Sequence, residues 1–391
     1  MAVANFGSAK VLSDADFSSA TFSAAANFYS ATFSAGANFR LAKFSTRINF
    51  RLATFSAGAN FRLATFSAYA GFNSATFSAD ADFSSATFSG ETHFDSAKFG
   101  KIVETRFYYA NFAGDTFFDD AEFNEDVSFN SAIFGEDSDV FFRRTVFAGN
   151  ADFQYCTSEG YLRFSDLQLR SRSRFDFQEA AFEKASRVSF HTISLRPHWF
   201  VNVDSRKFVF TDILWKNLDW DFWNKNIYAE IDSLPETGAA KQKKRIFEIA
   251  ARQLAVNAEE NNRYEEAAKF RYMAMETRRL EETKHFRASR LLMWLYKWSS
   301  GYGESWSRAA LVLLFIWLGF GLVYWQFGSF QIETPLDVWQ SLGYSSQVML
   351  LQKPNPRPLS NLTFTLYVLE TIFAPLQAAL LALAIRRKFM R

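Results

Sequence analysis

Phenylalanine recurs through the first half of the chain on a fixed beat, at 17, 22, 28, 33, 39, 44, 50, 55, 61, 66, 72, 77, 83, 88, 94 and 99. The steps alternate between five and six, so the true period is eleven residues, and a fixed period of this kind marks a solenoid. Two positions before almost every Phe stands a small residue: Ala15, Ala20, Ala26, Ala31, Ala37, Ala42, Ala53, Ala59. In an extended segment residues two apart share a side. Ala and Phe of each triplet therefore point inward together, and the residue between them points out: Asn27, Thr32, Asn38, Lys43, Asn60, Thr65, Asp82, Thr87. An eleven-residue repeat in a helix would give a right-handed supercoil. Ser, Thr, Asn and Gly fill the remaining positions, however, and these are poor helix formers. The pattern predicts a four-sided parallel β-helix with two eleven-residue units per coil and Phe stacked on Phe at a strand spacing of about 4.8 Å.

The rhythm continues through Phe107, Phe112, Phe118, Phe123, Phe129, Phe134, Phe142, Phe147 and Phe153, with short insertions between 99 and 107 and between 134 and 142. It thins to Phe164, Phe175, Phe182 and Phe190, which places the end of the β-helix near residue 200. That length corresponds to about eight coils and a rod of roughly 40 Å. The units ADFSS at 81–85, ANFRL at 37–41 and ATFSA at 64–68 resemble the motif of the pentapeptide-repeat family. The resemblance implies a right-handed quadrilateral parallel β-helix with no active site of its own. The sixth residue in every second unit, as in FSAGANF at 55–61, points to a slightly larger coil than is usual there.

A formal net charge of +2 gives no polyelectrolyte field, so a nucleic-acid partner is not expected, and mimicry of DNA would need a far more acidic rod. The single Cys156 excludes an internal disulfide, and His93, His191, His198 and His285 show no metal-ligand spacing. No Gly-rich phosphate loop follows a strand. The chain is expected to be no enzyme and to carry no cofactor or metal. The stretch MAVANFGSAKVLSDADF lacks an apolar core behind a basic start and so does not read as a signal peptide. The repeat domain, 1–200, is expected in the cytoplasm.

Residues 201–284 read as a cap and helical connector. Trp199, Trp215, Trp220 and Trp223 with Leu214, Leu218 and Ile227 suggest a small packed cap ended by Pro235 and Gly238. Two helices are expected near 239–256 and 262–284, interrupted at Asn257, Asn261 and Asn262. A packed linker and a partner-binding surface are both open for them.

Residues 309–327, AALVLLFIWLGFGLVYWQF, carry no charge and are long enough for a bilayer core of about 30 Å. A second span, 359–385, is broken only by Glu370 and Pro375 and ends at Arg386, Arg387 and Lys388. Lys284, Arg287, Arg290, Lys297 and Arg308 precede the first span, whereas the intervening loop carries only Lys353 and Arg357. The positive-inside rule then places both termini in the cytoplasm, as a multi-pass protein of the inner (cytoplasmic) membrane. Tyr324 and Trp325 are expected interfacial anchors at the far side. Residues 285–308 form an amphipathic, Trp-rich segment and hinge, with Trp294 and Trp298 as anchors on the near side, or else an extension of the connector. Between the spans Thr334 is a candidate cap and Pro335 a first helical residue. A helix over 335–351 is too short to cross and is expected to be re-entrant.

Span, short helix, return loop and span resemble the two-span pore domain of potassium-channel-like proteins, here over 309–391. LETIFAPLQAALLALAIRRKFMR and RYEEAAKFRYMAMETRRLE resemble bacterial pentapeptide-repeat proteins that carry such a domain. The resemblance implies a homo-oligomeric ion channel, a tetramer by analogy, passing inorganic ions. The glycine-rich filter of that family is missing from Leu350–Asn355. Candidate pore-lining residues are Glu370, which would favour cations or else hydrogen-bond to the connector or snorkel to the interface, and Gln347, Gln352 and Lys353. Lys353 with Arg357 would favour anions. Pro375 is a candidate gate hinge or a static kink. The alternative is a membrane-anchored scaffold whose β-helix binds a cytoplasmic protein partner.

Overall fold

The computed structural model describes residues 3–100, 104–170, 173–182, 187–219, 224–234, 240–281, 287–332, 334–353 and 355–389. The chain divides into two compact units, Met1–Arg263 and Tyr264–Arg391.

The first unit is a parallel β-solenoid of about nine turns, with four sheets of ten, eight, eight and eight strands. Most strands are only two residues long, the shortest that still lets inward and outward positions alternate. Register is set by the repeat: Ala4 pairs with Ala26, Ala26 with Ile48, and Ile48 with Ala70. Equivalent side chains therefore stack coil over coil. Phe33 lies 5.0 Å from Phe55, and Phe61 lies 4.9 Å from both Phe39 and Phe83, with rings within 2° of parallel. Neighbouring columns meet edge to face, as Phe61 does with Phe50 and Phe72 at 5.5 and 5.6 Å, an arrangement aromatic quadrupoles favour. Ala37, Ala42, Ala53 and Ala59 fill the gaps between columns and are buried.

The outward Asn and Asp of the A-[ND]-F triplets have a local task. Asn38 Oδ1 accepts from the Arg40 backbone N–H at 3.1 Å, and its Nδ2 donates 3.0 Å to Asp16 one coil away. Asn27 makes the same pair of bonds, to Tyr29 and to Asn5, so each side chain closes a turn and joins two coils. Two residues after alternate Phe the backbone turns left-handed: Ser19, Ser30, Leu41, Leu52, Leu63, Ser74 and Ser85 all have φ between 53° and 61°. The corners recur every eleven residues, and three are occupied by leucine, which this conformation disfavours.

The insertions fall where the Phe steps lengthen: pairing shifts to Thr87 with Asn111 and Thr116 with Val140. The solenoid runs past residue 200, against the sequence expectation. Two long parallel strands, Val188–Leu195 and Val209–Trp215, extend the first sheet, pairing Phe190 with Phe210 and Ile193 with Ile213. Trp199, Trp215, Leu218 and Ile227 are buried there, as expected of a cap, whereas Leu214 is 69% exposed. Trp220, Trp223, Pro235 and Gly238 lie outside the described residues.

Helices α1 (Lys225–Asp232) and α2 (Ala240–Glu260) complete this unit. Asn257 does not interrupt α2. It is buried within it, and its Nδ2 lies within 3.0 Å of the carbonyls of Ser205, Arg206 and Phe208, closing the end of the solenoid. The break falls at Asn262, in the left-handed region.

The second unit comprises α3 (Tyr264–Glu281), α4 (Arg287–Ser300), α5 (Trp306–Phe327), α6 (Val338–Met349) and α7 (Asn361–Phe389). Gln377 of α7 donates to Ala309 at the start of α5, and Thr363 at the start of α7 accepts from Ser329 just past the end of α5. The two long helices are therefore antiparallel. Pro375 sits inside α7, which continues on both sides of it.

Candidate functional site: an apolar hairpin with a polar interior

Helices α5 and α7 are the two described helices long and apolar enough to cross a membrane. At 1.5 Å per residue they measure about 33 and 43 Å against a hydrocarbon core of about 30 Å. Only 11% and 22% of their apolar windows are buried. Leu311, Phe315 and Leu322 on α5, and Phe364, Ile372 and Leu376 on α7, face outward. The core helix of a soluble domain would bury such residues; lipid would leave them as they are.

The short α6 is seated between these helices. Gly321 lets it come close, since a Cβ there would stand 2.5 Å from Leu342 Cδ2 and 3.3 Å from its Cα. Trp317 Nε1 donates to Ser346 Oγ at 2.9 Å and to the Leu342 carbonyl at 3.1 Å. The Ser345 hydroxyl lies 2.5 Å from Glu370 Oε1 and 3.2 Å from the Trp317 carbonyl. Tyr344 meets Tyr324 and Phe330 edge to face at 4.9 and 4.8 Å, with Val348, Leu366 and Tyr367 packed around them.

Several expected site residues sit elsewhere than the sequence suggested. Glu370 is fully buried among α5, α6 and α7 of one chain, so it presents no charge on an outer face and is not a lining residue. A carboxyl in an apolar span seeks an interior partner, and Ser345 supplies one. Tyr324 is likewise interior, 1% exposed, rather than an interfacial anchor; Trp325 beside it is 47% exposed. Thr334 and Pro335 precede α6 without capping it. Asp337 is the cap: its carboxylate accepts from the Gln340 N–H at 2.7 Å, and the Gln340 side chain accepts from the Asp337 N–H at 3.1 Å. That reciprocal box starts the helix later than expected.

Gln347 is half-buried on α6, and its carbonyl accepts from the Gln352 N–H at 2.9 Å. Gln352 and Lys353 follow α6 and are exposed, as is Arg357. The return strand is tied to the end of α5 by the Leu359 N–H to Ser329 and by a bridge between Phe330 and Pro358. Pro354 lies outside the described residues. Trp294 and Trp298 stack at 6.1 Å on the exposed side of α4.

The opposite end of the hairpin is held by groups that sequence reasoning did not single out. Gln377 Nε2 donates to the carbonyls of Ser299 and Ala309, 2.9 Å each, joining α4, α5 and α7. Glu304, 3% exposed, accepts from Arg271 of α3 and from Arg387 of α7 at 2.9 and 2.8 Å. Glu276, fully buried, accepts from Arg279, Lys297 and the Tyr302 hydroxyl. Burial pushes the Glu276 carboxyl up, but Arg279, Tyr302 and Lys297 outweigh it and hold the group below the ordinary range. One signal was available: Ser341 and Ser345 stand four apart on α6, on the face that is buried.

A family model for pentapeptide repeats, in nine copies, matches residues 17–65 and 107–157, both within the solenoid. No curated protein and no solved structure matches the chain.

Proposed function

We propose that this chain is one subunit of a homo-oligomeric membrane pore of a bacterial inner membrane, with its repeat domain and both termini in the cytoplasm. The observation that carries the reading is α6, a helix of twelve residues that cannot cross a bilayer yet is fixed between two helices that can. Its Asp337 cap, its close approach at Gly321 and its bonds to Trp317 and Glu370 all serve to hold it at that depth. The segment after it, carrying exposed Gln352, Lys353 and Arg357, would face the axis, with Gln347 behind it. With Glu370 enclosed, the charges on the segment that follows α6 are Lys353 and Arg357, which favours anions there. Two spans cannot enclose a pore alone, so several subunits must surround it. The test is recording from purified protein in planar bilayers under a salt gradient. A reversal potential on the anion side, lost or shifted in Lys353→Glu, supports the reading; absence of conductance from a preparation shown to be oligomeric overturns it.

A second reading is favoured by the same enclosed Glu370. A hairpin that encloses its one carboxyl within a single chain, with Oε1 against Ser345, can also serve as an anchor, leaving the solenoid to bind a cytoplasmic protein. Oligomeric state in detergent separates the two, because a monomer is incompatible with the pore and not with the anchor.

A further inference from the structure

Helix α4 is built inside out. Its protein-facing side carries Tyr296, Lys297 and Ser300 around Met293. Lys297 reaches Glu276 at 3.1 Å, Tyr296 meets Tyr302 edge to face at 5.6 Å, and Ser300 is buried. Five large apolar side chains face away: Leu291 57%, Leu292 66%, Trp294 46%, Leu295 48% and Trp298 57% exposed. At 100° per residue they span an arc of about 160°, which also takes in the half-buried Ser299. No described part of the chain covers this arc.

Its position says what does. Residues 301–305 alone separate α4 from α5, and this turn is pinned. Gln377 holds Ser299 and Ala309 together, and Arg308 donates to the Lys297 carbonyl at 3.3 Å. The last turn of α4 is therefore fixed at the level where α5 begins. At that end Trp306 packs against Phe389 at 6.2 Å, and Arg386 and Lys388 are exposed. An apolar arc bearing two tryptophans, continuous with the foot of two apolar helices and flanked by cations, has the chemistry of a helix lying in an anionic lipid surface.

We propose that α4 lies in the plane of the membrane surface with Leu291, Leu292, Trp294, Leu295 and Trp298 seated in lipid, so that α3 and the start of α5 are held at a fixed depth. The proposal rests on α5 and α7 being membrane helices, and it holds whether the hairpin conducts or only anchors.

The test uses the full chain carrying Cys156→Ala, with single nitroxide labels at Leu292→Cys, Leu295→Cys, Phe315→Cys and Tyr228→Cys, in vesicles of phosphatidylcholine and phosphatidylglycerol. Oxygen partitions into lipid, and a nickel chelate into water. The expected result is an oxygen-to-nickel accessibility ratio at 292 and 295 several-fold above that at 228 and near that at 315. Nickel-accessible labels at 292 and 295 beside an oxygen-accessible 315 overturn the α4 proposal and leave the spans standing. Labels at 292 and 295 that neither reagent reaches also overturn it, in favour of a second copy or another protein. A water-like 315 overturns the membrane reading on which it rests. Should labelled variants fail to insert, brominated-lipid quenching is compared between the native chain and Trp294→Phe/Trp298→Phe. A larger quenched fraction in the native chain supports the proposal, and an equal fraction overturns it.

Discussion

Replacing Phe61 by alanine should unfold the middle of the solenoid more readily than almost any other single change. The ring is fully buried, stacked on Phe39 and Phe83 at 4.9 Å and flanked edge to face by Phe50, Phe55 and Phe72. Burying such a side chain is worth about 1.5–3 kcal/mol in transfer alone. The cavity left behind raises the usual Phe→Ala cost to about 3–5 kcal/mol, and the lost ring pairs push it toward the upper end. The informative comparison is Phe117→Ala. Phe117 occupies the outward position of its triplet, stacked between His93 and Phe141 at 4.7 and 5.2 Å on the surface. Its loss should cost about 1 kcal/mol or less. Coils contact only their neighbours, so the damage at 61 should be local. Hydrogen exchange on the full chain in detergent provides the assay. Amides of residues 37–85 should lose protection by two to three orders of magnitude in Phe61→Ala, a loss matching about 3–4 kcal/mol, while those beyond 150 change little. Equal losses in the two variants, or a loss at 61 spread evenly over all turns, would refute the assignment of inward and outward registers.

Three further outcomes are expected. Asn38→Ala removes the acceptor for the Arg40 N–H and the bond to Asp16, and should lower stability by about 1 kcal/mol, read from the urea midpoint. Glu304→Ala strands Arg271 and Arg387 around a site where the carboxylate is 3% exposed, and should destabilise the second unit by about 3 kcal/mol in thermal unfolding, with little relief from added salt. His93 is flanked by Asp95 and Glu91, each 2.7 Å away. Asp95 chiefly, against burial and with help from Glu91, raises its pKa above 6.5. The folded state thus holds the proton longer than the unfolded chain. The stabilisation is complete below about pH 6.5 and is lost as pH rises through the raised value. The stability gap between the native chain and His93→Gln should therefore shrink as pH rises above about 6.5; a gap that widens contradicts the pairing.

The solenoid was legible in the sequence because its code is short-range. Ala37 and Phe39 share a side by the geometry of an extended strand, and every coil repeats the statement. The code fails past Phe190, where the long strands fill inward positions with Ile193, Leu195, Phe210 and Trp215 instead of a fixed Phe beat. The two long apolar helices were legible from composition. Their interior was not, because it depends on pairs distant in sequence. Glu370 meets Ser345 and Gln377 meets Ala309, and nothing in the spacing of either residue identifies its partner. Thr334 lost the cap to Asp337 for a local reason: the Asp337–Gln340 pair closes two reciprocal bonds. Asn257 looked like a breaker by propensity and is a helical residue because three carbonyls at the solenoid end take its amide protons.

The stacking register gives the first unit a quantised length. Equivalent side chains on successive regular coils are separated by 22 residues. Removing one residue inside a coil would put that coil out of register with the coils stacked above and below it. Excising a whole coil, such as 37–58, would rejoin Ala to Ala and Phe to Phe and shorten the stack by one strand spacing of about 4.8 Å. Where two residues are added further along, the pairing offset grows from 22 to 24, Thr87 with Asn111 and Thr116 with Val140, and stacking continues on both sides. Such a domain can be lengthened or shortened in whole steps without redesigning its core, as a gauge is assembled from identical blocks.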